Sequence, residues 1–182
     1  MKLSGNDNPA DSGEDLDKVF DRLAREQGPR MVGIARAIVC RRCSPEDVVQ
    51  QALMNLYQHR ERYDWSDPTP LLRRAVVNEA LRQLRRKPML SIDSVAEIQK
   101  DNSPATPVLQ AEMVEQVKKA IDRLPDHFKA ALVLCEYERM SYPEIAQTLG
   151  ITIQQTKTWI FRGRRQLEKM LGGYVECGKP VQ

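Results

Sequence analysis

Residues Ser141–Arg165, SYPEIAQTLGITIQQTKTWIFRGRR, read as two short helices joined by a tight turn. Ser141 is a natural N-cap, and Glu144, three residues on, is placed to return its carboxylate to the cap amide. Met140 before the cap and Ile145 at the fourth helical position suit a hydrophobic staple. Pro143 falls in the first turn, where a missing N–H costs nothing. Gly150 supplies a left-handed residue to end the helix. The next helix starts at once, with Thr152 as cap and Gln155 three residues later. This is the sequence shape of a helix-turn-helix, whose second helix enters the DNA major groove.

At ~100° per residue the second helix splits into two faces. Ile153, Thr156, Ile160, Gly163, Leu167 and Leu171 share one arc and are expected to pack inward. Gln154, Thr158, Phe161, Arg162 and Arg165 share the opposite arc, with Lys157 and Trp159 at its flanks. Glutamine and threonine reach base edges, phenylalanine touches a thymine methyl, and arginine holds phosphate or guanine. Capping and helicity alone are equally met by a solvated charged face with one stray aromatic, so the outward Phe161 is the informative member.

Outward from this stretch, the 182 residues leave room for one or two small domains. Hydrophobic residues at 41% and charged residues at 29% fit a soluble globular chain. The net charge of +3 is mild, but its distribution is uneven. Asp7, Asp11, Glu14, Asp15 and Asp17 crowd the N-terminus, while arginines concentrate in 73–86 and 162–165, as in a nucleic-acid footprint. No apolar run approaches the ~20 residues that span a membrane, and the N-terminus lacks an apolar signal core. The expected location is therefore the cytoplasm, with Cys40, Cys43, Cys135 and Cys177 reduced. Cys40 and Cys43 form a CxxC, but His59 and His127 are the only histidines and no second ligand pair has finger spacing. No metal and no cofactor is expected. No phosphate loop or nucleophile–base pair can be assembled either, so there are no catalytic residues and the protein is not expected to be an enzyme.

The layout is all-α: two small helical domains joined by a flexible linker, the C-terminal one a helix-turn-helix. Residues 1–14 lack periodicity and form an acidic tail. The first domain spans 15–87, with helices at about 15–27 (ended by Gly28-Pro29), 30–42, 44–60 and 70–87. Prolines, serines and acidic residues over 88–107 mark the linker. The second domain spans 108–171, with helices at about 108–123 and 126–138 ahead of the helix-turn-helix, and 172–182 is a tail.

The helix PTPLLRRAVVNEALRQLRRK places Arg74, Asn78, Arg82 and Arg85 within ~80° of one another. Leu72, Val76, Val77, Ala80 and Leu84 take the other side as core. An asparagine, both donor and acceptor, pairs with a base edge while arginines suit phosphates around it. A solvated arginine stripe laced to Glu79 is the alternative. On the preceding helix Asp47, Gln50, Gln51, Met54 and Gln58 lie opposite Val48, Ala52, Leu53 and Leu56. This nearly uncharged face with an outward methionine suits a protein partner better than phosphate, although an ordinary amide-rich surface has the same composition.

Together these residues resemble a bacterial sigma factor of the extracytoplasmic-function type, over most of 17–171. LPDHFKAALVLCEYERMSYPEIAQTLGITIQQTKTWIFRGRRQLEKML is similar to the family's region 4. EDVVQQALMNLY is similar to its region 2.2, and LLRRAVVNEALRQLRRK to the adjoining promoter-melting part. The resemblance implies a promoter-specificity subunit of RNA polymerase. Asp47, Gln50, Gln51 and Met54 would dock on the clamp of the β′ subunit of core polymerase, with further contact to the β subunit. Asn78 would capture a flipped base of the −10 element, with Arg74, Arg82 and Arg85 on the strand backbone. Gln154, Lys157, Thr158, Trp159, Phe161, Arg162 and Arg165 would read the −35 element. It also implies an anti-sigma factor as partner, and the lack of a long apolar run leads to no expectation of membrane insertion. Gln51 replaces the family's usual Glu, Thr69-Pro70-Leu71 its Thr-Trp-Leu, Gln154 a Gly, and Trp159 an Arg. The competing reading is an operator-binding helix-turn-helix regulator that is not a sigma subunit. Such a regulator needs neither Asn78 nor the face around Met54.

Overall fold

A computed structural model describes residues 16–86 and 108–175, and the tail at 1–14 and the linker at 88–107 expected from the sequence lie outside them. Every regular element among the described residues is helical. They form two compact units, and no described helix is long and apolar enough to cross a membrane.

The first unit is a three-helix bundle of α1 (Leu16–Val39), α2 (Pro45–Gln58) and α3 (Pro68–Arg86), each packed on the other two. α2 begins as its sequence dictates. Ser44 is extended (φ −68°, ψ 122°), its hydroxyl accepts from the Asp47 amide at 3.1 Å, and Pro45 takes the first turn. Val48, Ala52 and Leu56 of α2 are buried, as are Leu72, Val76, Val77, Ala80 and Leu84 of α3. Between α2 and α3 a short 3₁₀ turn (Arg60–Arg62) leads to Trp65, which is 1% exposed. Its indole N–H donates to the Arg60 carbonyl at 2.8 Å, and its ring meets Phe20 of α1 at 4.8 Å between centroids. Satisfying the indole N–H is what permits an aromatic of this size to be buried.

The expected break at Gly28-Pro29 does not occur: α1 runs through it, with Pro29 inside the helix. Proline removes one backbone donor and crowds the preceding turn, a cost of roughly 3 kcal/mol in a helix interior. Packing offsets it. Val19, Phe20 and Leu23 are buried before the proline, and Met31, Ile34, Ala35 and Ile38 after it. The residue before the proline is Gly28, which has no Cβ to meet the pyrrolidine ring.

The second unit comprises α4 (Val108–Asp122), α5 (Asp126–Leu132) continued by a π-turn (Val133–Tyr137), α6 (Tyr142–Leu149) and α7 (Ile153–Val175). α7 continues past Leu171. It packs on α5 and α4. The π-turn is closed by the Glu138 amide donating to the Val133 carbonyl, five residues back, at 3.2 Å. Arg139 follows at φ +56° and Gly150 ends α6 at φ +67°. Thr156 and Ile160 are at most 1% exposed, in line with their inward arc, but Ile153, the first residue of α7, is 46% exposed. At Gly163 α7 comes close to α5. A Cβ there would lie 2.8 Å from Leu132 Cδ1 and 3.2 Å from its Cγ. Gly163→Ala is therefore expected to cost about 1–3 kcal/mol through overpacking, read as a lower denaturant midpoint by circular dichroism on the full chain. An unchanged midpoint would show that Leu132 yields freely.

Candidate nucleic-acid interface

Two helical faces carry basic residues that the core does not use. On α3, Arg74 and Asn78 are exposed, and among the described residues neither side chain has an intramolecular hydrogen-bond or ion-pair partner. One turn on, Arg82 is engaged by Glu79. Its Nε and Nη2 each donate to a carboxylate oxygen at 2.7 Å, and Gln83 Nε2 adds a third bond at 3.0 Å. Arg85 is exposed, with Nε 3.3 Å from the Leu81 carbonyl of its own helix. Glu79 is 3% exposed. Burial pushes its carboxyl upward in pKa, but the bonds from Arg82 and Gln83 and the charges of Arg82 and Arg86 outweigh this and hold it below the ordinary value.

The second face lies on α7, whose entry is held by a reciprocal capping box. The Thr152 amide donates to Gln155 Oε1 at 2.9 Å, and the Gln155 amide to Thr152 Oγ1 at 3.1 Å. On α6 the Ser141 amide and hydroxyl both donate to Glu144 Oε2, at 2.7 and 2.6 Å. From this start the helix turns Gln154, Lys157, Phe161, Arg162 and Arg165 into water. Phe161 is 63% exposed, so it is no part of the core. Thr158 is half-buried and its hydroxyl donates back to the Gln154 carbonyl at 2.9 Å.

Trp159 is placed differently from its neighbours. It is half-buried, and its ring meets His127 of α5 at 4.8 Å in an edge-to-face arrangement. His127 in turn meets Phe128 at 4.2 Å. The pairing of His127 with Trp159 joins residues far apart in the chain, and no local spacing announces it. Arg164 is also occupied, by an ion pair through Nε to Glu136 Oε1 at 3.1 Å. The pair is exposed on both sides and holds orientation more than stability.

A third face, on α2, has a different character. Asp47 and Gln50 are exposed and Met54 is 48% exposed. Gln51 is half-buried and donates to Asn55 Oδ1 at 3.1 Å. Met54 also lines a groove between α1 and α2, with Phe20, Leu53 and Tyr57 as its apolar wall and Asp17 and Asp21 at its edge. Among the described residues no three His, Cys, Asp or Glu side chains cluster as a metal site would require. Cys40 and Cys43 are half-buried and form no disulfide among the described residues, with Cys40 at φ +52° just beyond α1.

The chain is similar to known proteins in sequence and in fold. Residues 23–88 match the family model described as Sigma-70 region 2, and residues 114–167 match Sigma-70, region 4. The ECF RNA polymerase sigma factor SigE of Mycolicibacterium smegmatis is 27% identical over 157 residues, covering 84% of this chain and 61% of its own length. The ECF RNA polymerase sigma factor SigM of Mycobacterium tuberculosis is 28% identical over 168 residues, covering 90% and 82%. Among solved structures, the sigma factor RpoE in complex with the anti-sigma factor NepR from Bartonella quintana superposes with a TM-score of 0.64 at 20% identity, over 85% of this chain and 98% of that one. At that identity the likeness speaks for the fold.

Burial lowers the pKa of His127 below 6.5, against an opposing contribution from Asp126. The unfolded chain then binds this proton more readily than the folded one. Stability linked to His127 is fully present above pH 6.5 and is lost as pH falls through the folded value. An NMR titration is expected to place the His127 ring below 6.5, with Trp159→Ala moving it back toward that value. A midpoint at or above it would contradict the burial.

Proposed function

We propose a division of labour for this chain, which belongs to the extracytoplasmic-function sigma factors and directs transcription initiation by recognising promoter DNA. The α3 face takes the opened −10 strand. Asn78 captures an unstacked base, and Arg74 and Arg85 hold the backbone beside it, with Arg82 as a further contact. Trapping the base offsets the few kcal/mol that unstacking costs. The α7 face reads the −35 duplex in the major groove, through Gln154, Lys157, Thr158, Phe161, Arg162 and Arg165, with Trp159 at its edge. The observation that carries this reading is the exposed Asn78, without intramolecular partners among the described residues, inside an arginine-bearing face, in a chain with a second such face on a helix-turn-helix. Neither face needs to catalyse anything, since the polymerase supplies the chemistry.

The α2 face is proposed to meet core polymerase. Asp47, Gln50, Gln51 and Met54 dock on the β′ clamp, and the second unit approaches the β subunit. Support comes from composition and exposure: amides and a half-exposed methionine suit a protein surface better than a phosphate backbone. The cytoplasm is the compartment where this work takes place. An anti-sigma factor is a further proposed partner, extended from the complex in which RpoE was solved.

Run-off transcription with core polymerase, with and without the protein, tests the whole reading; no initiation from any genomic promoter would refute it. Asn78→Ala is expected to slow open-complex formation, seen by permanganate reactivity of −10 thymines, with little change in duplex binding. Normal opening by that variant would remove Asn78 from the role. Arg162→Ala is expected to weaken −35 binding and to reduce the slope of log K against log[salt] by about 0.9, measured by fluorescence anisotropy. An unchanged slope would mean that Arg162 meets no phosphate.

A further inference from the structure

The arginines on the α3 face are not equivalent. Arg74 carries its full charge into solvent, with no intramolecular partner among the described residues. Arg82 does not. Its Nε and Nη2 are both directed to the Glu79 carboxylate at 2.7 Å, while Nη1 makes no intramolecular hydrogen bond among the described residues. Glu79 itself is 3% exposed, and a buried carboxylate is tolerated only when its charge is met and its lone pairs are filled. Arg82 and Gln83 do both. A two-point fork of this kind also fixes the guanidinium plane, which a single contact would leave free to swing.

We infer that Glu79 is a positioning residue for the strand-binding face: it cancels the charge of Arg82 and leaves that side chain's Nη1 edge as a directional donor one turn from Asn78. Arg82 then contributes hydrogen-bond geometry, whereas Arg74 contributes attraction to phosphate. This inference rests on the proposed −10 role of the α3 face. The two kinds of contact differ in one measurable respect. Contacts made by uncompensated charge release counterions, and each adds about 0.7 to the salt slope on single-stranded DNA. A charge-compensated donor adds affinity without that slope.

The test uses holoenzyme reconstituted from core polymerase and the full chain. The probe is a labelled fork-junction DNA with a single-stranded non-template −10 overhang, cut from a promoter active in the run-off assay. Affinity is measured across a salt series. Arg74→Ala is expected to lower the slope by about 0.7. Arg82→Ala alone would strand the buried Glu79 carboxylate, so the Arg82 contact is read in the double variant Glu79→Gln/Arg82→Ala, which removes both charges and is expected to weaken binding several-fold relative to wild type. Glu79→Gln, which keeps the shape and releases the Arg82 charge, is expected to steepen the slope by about 0.7. The double variant Glu79→Gln/Arg82→Ala returns it to the wild-type value, a reversal that a merely structural role for Glu79 would not produce. A loss of slope in Glu79→Gln/Arg82→Ala equal to that in Arg74→Ala, or an unchanged slope in Glu79→Gln, overturns the inference while leaving the −10 reading intact. Wild-type binding by both Arg74→Ala and Asn78→Ala overturns the −10 reading and this inference with it.

Discussion

A helix that gives one stripe to a core must give the opposite stripe to water, and this constraint sets every candidate contact in both units. Burial of Leu72, Val76, Ala80 and Leu84 turns Arg74 and Asn78 outward on α3. Burial of Thr156, Ile160 and Gly163 turns Phe161 and Arg162 outward on α7. The approach of Gly163 to Leu132 makes the second case strict, since a rotation of α7 would bring a larger side chain into a space that already excludes a Cβ. Packing in the core and presentation on the surface are thus one geometric fact seen from two sides.

A second layer of selection acts on the basic residues. Carboxylates divide them into those held and those free. Glu79 takes Arg82, and Glu136 takes Arg164. Arg74 on one helix and Arg162 and Arg165 on the other are left without intramolecular partners among the described residues. Counting arginines in 73–86 or 162–165 therefore overstates the charge available to a polyanion. The available charge is set by which neighbours the fold brings within reach.

Much of this was legible in the sequence because it is local. Caps at Ser44, Ser141 and Thr152, the left-handed Gly150 and the core stripe of α3 depend on residues within a turn or two of one another. The Arg82–Glu79 pair is also local, at a spacing of three. What was not legible is tertiary. Trp159 reads as one more residue beside the outward arc until His127, on another helix, is seen against its ring. Ile153 reads as inward by angle, yet as the first residue of α7 it is 46% exposed. Gly28-Pro29 reads as a stop, because local rules carry no knowledge of the apolar residues that hold both sides of it in place. The family resemblance, borne out by matches to both regions, supplied the pairing of the two faces that local rules alone left open.

The proline inside α1 has a consequence for how the first unit comes apart. Helical cooperativity is passed along the backbone ladder, and at Pro29 one rung is missing. The N-terminal half is held through Phe20, which reaches Tyr57 and Trp65, and the C-terminal half through Met31, Ile34 and Ile38. Each half owes its protection to its own side-chain anchors, and the shared ladder contributes less than in an unbroken helix. α1 is then two units of local opening within one rod. The amides on either side of residue 29 are therefore expected to exchange with solvent by separate events, each with its own free energy.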